Sequence, residues 1–247
     1  MQTKPFLSLI FPAYNEESRL PNALDQSIAF LNAQPFDGEI IVVENGSQDR
    51  TYDIACSYQE KFPYLRVIQN SARGKGLAVK QGMLAAIGEY RMFLDVDLSM
   101  PIEDVAKFIP PQLPEEVDIA IATREGPEAH RIGEPAYRHF MGRIFNTLIR
   151  LLILPEFQDS QCGFKCFKAF VVEDLFPLQT VSGWAFDTEI LYIARMRGYK
   201  VKEIGINWYF DTDSRVKVVR DTIQMVKDTF TIKRNHRQGY YHRTSLE

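Results

Sequence analysis

Short apolar runs of strand character alternate with helical patterns along this chain, and that alternation restricts the fold more than any other feature. The runs are "LSLIFP" (7–12), "EIIVV" (39–43), "LRVIQ" (65–69), "YRMFL" (90–94) and "VDIAIAT" (117–123). They are rich in β-branched residues and show no polar alternation, so both of their faces must be covered. Helical spacing lies between them: Leu20, Leu24, Ile28 and Leu31 within 16–33, Ala55, Tyr58 and Phe62 behind a capping Asp49, and a third helix from Lys75 to about Ile87. This order indicates an α/β protein with a mostly parallel central sheet flanked by helices. Ligands of such sheets bind beyond the carboxyl ends of the strands.

Beyond Arg124 the pattern loosens. It predicts a helix over 135–152, a strand at "GFKCFK" (163–168), a helix over 184–197, a strand over 200–206 and a helix over 218–234. The last mixes Ile223, Val226 and Phe230 with Lys217, Arg220, Lys227, Lys233 and Arg234. An amphipathic C-terminal helix of this kind lies on an anionic membrane surface or packs as a basic-faced core helix, and the sequence leaves both open. No repeat or linker divides the chain. We read one domain over 1–245, with a nucleotide half (about 6–125), an acceptor half (about 126–215) and the C-terminal helix (about 216–235).

A chain of 247 residues can bury a core without disulfide or metal staples. Its net charge of −3 lacks the basic excess of a general nucleic-acid binder. Cys56, Cys162 and Cys166 form no disulfide framework and read as small buried hydrophobes. The polar Met1–Pro5 run gives no reason to expect a signal peptide, and no apolar run approaches the ~20 residues that span a bilayer. The expected location is cytoplasmic, with peripheral contact at the cytoplasmic membrane face.

The strand "YRMFL" delivers two carboxylates, Asp95 and Asp97, in "MFLDVDLSMP" (92–101). Residues i and i+2 of an extended segment point to the same side. A hard divalent cation takes one or two carboxylates together with phosphate oxygens and water. The pair can therefore hold Mg²⁺ or Mn²⁺ against a diphosphate; alone, such a pair is more often just the start of a solvated loop. The first strand ends in "PAYNEES", with no Gly-rich phosphate turn, and no P-loop occurs elsewhere. A bound diphosphate would need its charge met in another way. Arg73 and Lys75, in "RGKG" (73–76), supply cations after the third strand.

"PAYNEE" after strand one, "VVENGSQDRT" (42–51) after strand two, "RGKG" and the D-x-D element, in this order, resemble glycosyltransferase family 2 and its GT-A, Rossmann-like fold. "DSQCGFKCF" (159–167), "WAFDTEILYIA" (184–194) and "DSRVKVVRDTIQM" (213–225) resemble the dolichyl- or polyprenyl-phosphate glucosyltransferases, to which the dolichol-phosphate mannose synthases are related. The resemblance spans about 7–233. It implies that Pro12, Tyr14 and Glu16 line a nucleotide pocket and that Glu44, where the family usually has Asp, meets the base beside Asn45. It makes Asp95 a ribose or metal contact and Asp97 the main metal ligand. Ser99 stands where relatives often carry Gln, so water would complete the shell.

For the acceptor, the resemblance implies a polyprenyl or dolichyl phosphate. Such a phosphate is largely dianionic at neutral pH and needs cations rather than a base. Arg124 follows strand five, and Arg138 and Arg143 lie on the next helix. Asp159 would orient acceptor or sugar, and Asp187 would meet sugar hydroxyls or act as a base; either could instead be structural. The expected reaction is inverting transfer of a hexose, glucose from UDP-glucose, with Mg²⁺ or Mn²⁺. GDP-mannose as donor, a soluble hydroxyl acceptor, and a non-catalytic nucleotide-sugar-binding protein are the competing readings.

Overall fold

A computed structural model describes residues 4–70, 72–211 and 218–242. Strands β1 (Leu7–Ala13), β2 (Gly38–Glu44), β3 (Leu65–Gln69) and β4 (Tyr90–Phe93) alternate with helices α1 (Leu20–Asn32), α2 (Thr51–Gln59) and α3 (Lys75–Ala85). A 3₁₀ helix, Ile102–Phe108, leads to β5 (Ile119–Thr123) and β6 (His130–Ile132). Then come α4 (Ala136–Leu152), β7 (Lys165–Lys168), α5 (Ala169–Leu175), α6 (Phe186–Met196), β8 (Val201–Gly205), β9 (Asn207–Tyr209) and α7 (Val218–Arg237). A closing 3₁₀ turn occupies Tyr240–His242.

Seven strands form one sheet in the order β3-β2-β1-β4-β7-β5-β8. The chain builds outward from β1 to β2 and β3, then crosses back to place β4 on the other side of β1, with β1 to β4 all parallel. The carboxyl ends of β1 and β4 therefore flank the point where the winding reverses, where the crevice of an open α/β sheet forms. The alternating residues of β1 explain the absence of polar alternation. Leu7, Leu9 and Phe11 pack in the layer under α1 and α2, while Ile10 packs in the layer that holds Val79 and Met83 of α3. Both layers are largely apolar, so the strand is too, apart from the buried Ser8, whose hydroxyl donates to Glu39 Oε1 at 2.6 Å.

The structure departs from the sequence reading in several places. The first helix begins at Leu20, not at 16, because the preceding residues turn: Asn15 has φ 52° and Pro21 sits in the first helical turn. The strand expected over 163–168 begins at Lys165 and runs antiparallel to both neighbours, β4 and β5. The 3₁₀ helix, α5 and the parallel β6–β9 pair were not legible; each is short, and its apolar residues show no full period. On α7 the apolar residues divide: Met225 and Ile232 are buried, but Ile223 and Phe230 are exposed, so the helix does not present the single apolar face expected of it. Residues 213–217 of the C-terminal motif lie outside the described residues.

Candidate active site

The loops that follow β1 and β2 are knitted together. Asn15 takes the left-handed conformation that Asn tolerates better than most residues. Its N–H donates to Ser47 Oγ at 2.9 Å, and its Oδ1 accepts the Gln48 N–H at 2.7 Å. The Glu16 N–H donates to Thr51 Oγ1 at 2.7 Å. The Glu16 carboxylate, expected in the nucleotide pocket, accepts Arg19 Nε at 2.7 Å and Nη2 at 2.9 Å, and Arg19 reaches on to Asp211 at 2.7 Å. Pro12 is half-buried near the end of β1, opposite Val43. Glu44, at the end of β2, is buried and accepts the Ser47 N–H. Asn45 beside it is buried as well, and its Oδ1 has no protein partner among the described residues; nor does Asn70 Nδ2, one residue past β3. Buried polar atoms left unpaired are uncommon, and two of them at neighbouring strand ends mark a place where a ligand can supply the missing bonds.

Across the crevice the third loop brings in its cations. The Arg73 guanidinium lies 5.1 Å from the centre of the Tyr14 ring. Lys75 opens α3, and its ammonium is 2.5 Å from Asp95 Oδ1 and 5.2 Å from the Trp184 ring centre. Burial alone would lower the Lys75 pKa, but Asp95, Asp187 and Asp97 outweigh it and hold the ammonium charged. Asp97 is raised from the ordinary carboxylate range by burial and then by the neighbouring Asp95 charge, against the Ser99 N–H that donates to its Oδ1 at 2.9 Å. Leu98, between Asp97 and Ser99, has φ 45°, an uncommon conformation for a branched apolar residue.

The run 159–165 serves this site from the other side of the sheet. Asp159, fully buried, accepts Arg124 Nε at 2.6 Å, Nη2 at 3.0 Å and the Arg124 N–H at 3.1 Å. Burial would raise its pKa, but Arg124 holds it down at about 2. Gly163 lies against Asp95: a Cβ there would overlap Asp95 Oδ2 and Cγ and stand 2.9 Å from Oδ1. Lys165, fully buried, donates to Asp187 Oδ1 at 2.9 Å and to the Cys162 carbonyl at 2.5 Å. Burial raises the Asp187 pKa, and Lys165 and Lys75 work against that rise. Four charges thus alternate in sign inward from the crevice: Asp95, Lys75, Asp187, Lys165.

On the acceptor side Arg124 stands 5.4 Å from the Trp208 ring centre, with Arg131 at 5.8 Å. Arg143 is exposed on α4, 3.9 Å from Glu125. Arg138 is on the same helix, and its side chain lies outside the described set. Arg124 is therefore not a bare phosphate ligand: Asp159 orients it and offsets its charge. Gly163, Lys165 and Arg19 were not singled out as site residues in the sequence. Lys165 was hidden because a Lys in a short strand reads as solvent-facing, and only β7's central place in the sheet buries it.

Among the described residues, no group of three or more His, Cys, Asp or Glu gathers into an all-protein metal cage. Asp95 and Asp97 do fit a cation that also takes phosphate oxygens and water. They are hard oxygen donors, and Asp95 raises Asp97, the mutual repulsion that a shared cation relieves.

The sheet order, with D-x-D at the reversal point, agrees with the GT-A fold that the sequence resembles. Residues 8–176 match the model of glycosyl transferase family 2, and the chain belongs to that family. A dolichyl-phosphate beta-glucosyltransferase of Dictyostelium discoideum is 35% identical to it over 258 residues, covering 96% of this chain and 76% of that protein. The Saccharomyces cerevisiae enzyme of the same name is 33% identical over 255 residues, covering 96% and 76%. Among solved structures, glucosyl-3-phosphoglycerate synthase from Mycobacterium tuberculosis in complex with UDP superposes with a TM-score of 0.68 at 16% identity, covering 92% of this chain and 80% of that one. Its complex with Mn²⁺, UDP-glucose and phosphoglyceric acid gives 0.67 at 16% identity, covering 92% and 79%.

Proposed function

We propose that this glycosyltransferase moves glucose from UDP-glucose to a dolichyl or polyprenyl phosphate, with inversion, using Mg²⁺ or Mn²⁺. The observation that carries the reading is the meeting of Asp95, Asp97 and the Lys75 ammonium at the point where the sheet winding reverses. The names of the relatives support the acceptor and the sugar. The complexes of the structural neighbour with UDP-glucose, Mn²⁺ and Mg²⁺ support the donor and the cation.

In this reading residues 1–245 act as one catalytic unit. Pro12, Tyr14, Glu16, Glu44 and Asn45 frame the nucleoside, and the unpaired Asn45 Oδ1 accepts a hydrogen bond from it. Arg73 and Lys75 face the diphosphate, and Asp95 and Asp97 hold the cation. When bound, that cation offsets the charge that builds on the departing diphosphate. Arg124, with Arg138 and Arg143, draws in the acceptor phosphate. One of its oxygens attacks the anomeric carbon as the bond to UDP breaks on the opposite face. An acceptor that is already ionised needs no base, which suits an Asp187 that is 4% exposed and engaged with Lys165. A soluble alcohol would need to reach a carboxylate that this arrangement encloses. Among the described residues no helix is long and apolar enough to cross a membrane. We place the enzyme on the cytoplasmic face, in peripheral contact with the bilayer that holds its acceptor.

The test is a mass-spectrometric transfer assay with a short polyprenyl phosphate in detergent, Mg²⁺ or Mn²⁺, and UDP-glucose, UDP-N-acetylglucosamine or GDP-mannose offered separately. A lipid-phosphate hexose is expected from UDP-glucose and is expected to vanish in Asp97→Ala. Product from GDP-mannose alone would overturn the donor assignment. Donor hydrolysis without lipid product would overturn the acceptor.

A further inference from the structure

One buried carboxylate stands apart from the donor and acceptor groups. Glu189 on α6 is fully buried, and the groups that hydrogen-bond to it are neutral; the cation that feels its charge is Lys80, whose ammonium donates to the Gln179 carbonyl at 2.9 Å. Its Oε2 accepts the N–H groups of Thr180 at 2.8 Å and Val181 at 2.7 Å. Its Oε1 accepts the hydroxyls of Thr180 at 2.5 Å and Tyr241 at 2.6 Å. Tyr241, itself 1% exposed, belongs to the closing 3₁₀ turn beyond α7. Asn235 on α7 closes the ring by donating to Thr180 Oγ1 at 3.0 Å. A buried carboxylate is costly even when hydrogen-bonded, and an apolar residue filling the same space would be cheaper.

The segment that Glu189 grips is the seat of the donor loop. The Ser182 carbonyl accepts the Leu77 N–H at 3.3 Å, and Gln179 Nε2 donates to the Gly76 carbonyl at 2.8 Å. The two backbones run so close that a Cβ on Gly74 would stand 2.5 Å from the Ser182 oxygen, and one on Gly76 would stand 2.8 Å from the Val181 oxygen. Lys75 lies between these glycines, and its ammonium meets Asp95. A continuous path of short contacts therefore joins the carboxyl-terminal turn to the carboxylate pair: Tyr241, Glu189, residues 180–182, the Lys75 loop, Asp95.

We propose that Glu189 and Tyr241 are positioning residues for the donor site, through which the carboxyl-terminal turn fixes Lys75 against Asp95. The role rests on the reading of Lys75 as a donor-site cation. Neither side chain touches substrate. Each acts by holding 179–183 rigid, so that the loop at the start of α3 has one seat and not several.

The experiment pairs amide hydrogen exchange with a double-mutant cycle. Tyr241→Phe keeps the ring and removes the hydroxyl. Leu77, Thr180 and Val181 are expected to exchange roughly tenfold faster, the scale at which side chains along such paths modulate coupling, with the amides of β1 and β2 unchanged. UDP affinity in the presence of Mn²⁺ is expected to fall by a roughly similar factor, and Lys75→Met is expected to mask that loss in the double variant. Thr180→Val removes the other hydroxyl that bonds the same carboxylate oxygen and must give the same pattern. Faster exchange confined to 238–242, losses that add fully with Lys75→Met, or different patterns in the two variants would overturn the proposal. Exchange reads the seating of the loop whichever nucleotide is used. Wild-type protein that ignores UDP would overturn the donor reading instead.

Discussion

Gly163→Ala tests the geometry of the carboxylate pair most directly. No substrate contact is altered, and the single added methyl group meets Asp95. The new Cβ would overlap Oδ2 and Cγ of that carboxylate and stand 2.9 Å from Oδ1. Ordinary carbon contacts begin near 3.5 Å, so the carboxylate must withdraw by about 1 Å or more. Asp95 is half-exposed and can withdraw toward the crevice, so the strain relaxes and the stability cost stays near ~1 kcal/mol, a few degrees in Tm for a chain of this size. The functional cost is larger, because a displacement of about 1 Å at a reacting centre lowers turnover about a hundredfold. Calorimetric titration of Mn²⁺ in the presence of UDP is expected to show about ten- to a hundredfold weaker binding, the range for groups that orient a metal ligand. Gly142→Ala on α4 is the control: nothing lies within 4 Å of its Cβ, and Ala favours the helix by up to ~1 kcal/mol. Wild-type Mn²⁺ affinity and turnover in Gly163→Ala would refute the claim that this glycine seats Asp95.

Asp159→Asn leaves Arg124 without its carboxylate and is expected to destabilise the protein by about 3–5 kcal/mol at neutral pH. Because the folded state holds Asp159 at about 2, below its ordinary value of 3.8, its share of stability is present above pH 4 and lost as pH falls toward 2. In urea unfolding the gap between wild type and Asp159→Asn is expected to narrow by ~2 kcal/mol over that window, and a gap independent of pH would contradict the assignment. Lys165→Met strands the Asp187 charge in the core and is expected to cost about 3–5 kcal/mol; adding Asp187→Leu is expected to restore much of that stability without restoring turnover. Lys75→Met is expected to weaken UDP binding about tenfold, the worth of one charge-assisted hydrogen bond, and unchanged affinity would place Lys75 outside the donor site.

What could be read in the sequence was what the chain keeps local. Tyr14, Glu44, Asn45 and Asp95 each sit at or just beyond the end of a strand whose apolar run announces it, so β1, β2 and β4 carry these candidate residues with them. The D-x-D pair, the cationic loop before α3 and the parallel order of the first strands were legible for the same reason. Partner choice was not. Arg124 is expected to bind a phosphate on the strength of its position after β5, yet its guanidinium is held by Asp159, 35 residues further along. Asp187 is expected to act as a base or a sugar ligand, yet Lys165 encloses it from a strand inserted antiparallel between β4 and β5. No periodicity in "GFKCFK" tells which way β7 runs or which strands flank it, and those two facts decide where its lysine goes.

The alternation Asp95, Lys75, Asp187, Lys165 bears on why such a site keeps charges that stability alone would not select. A buried ion pair is rarely better than apolar residues of the same volume. Lys165 and Asp187, almost fully enclosed, would therefore be replaceable if packing were their whole task. Their outer neighbours are different: Lys75 keeps 18% and Asp95 29% of side-chain surface exposed, at the mouth of the crevice. Asp187 adds its charge to the field that holds Lys75 protonated, and Lys165 offsets the burial that would otherwise neutralise Asp187. The inner pair thus helps to keep the Lys75 ammonium charged. In the proposed reaction a diphosphate and its cation would meet an ammonium and a carboxylate already set in place, so the cost of ordering them would fall on folding and not on the transfer step.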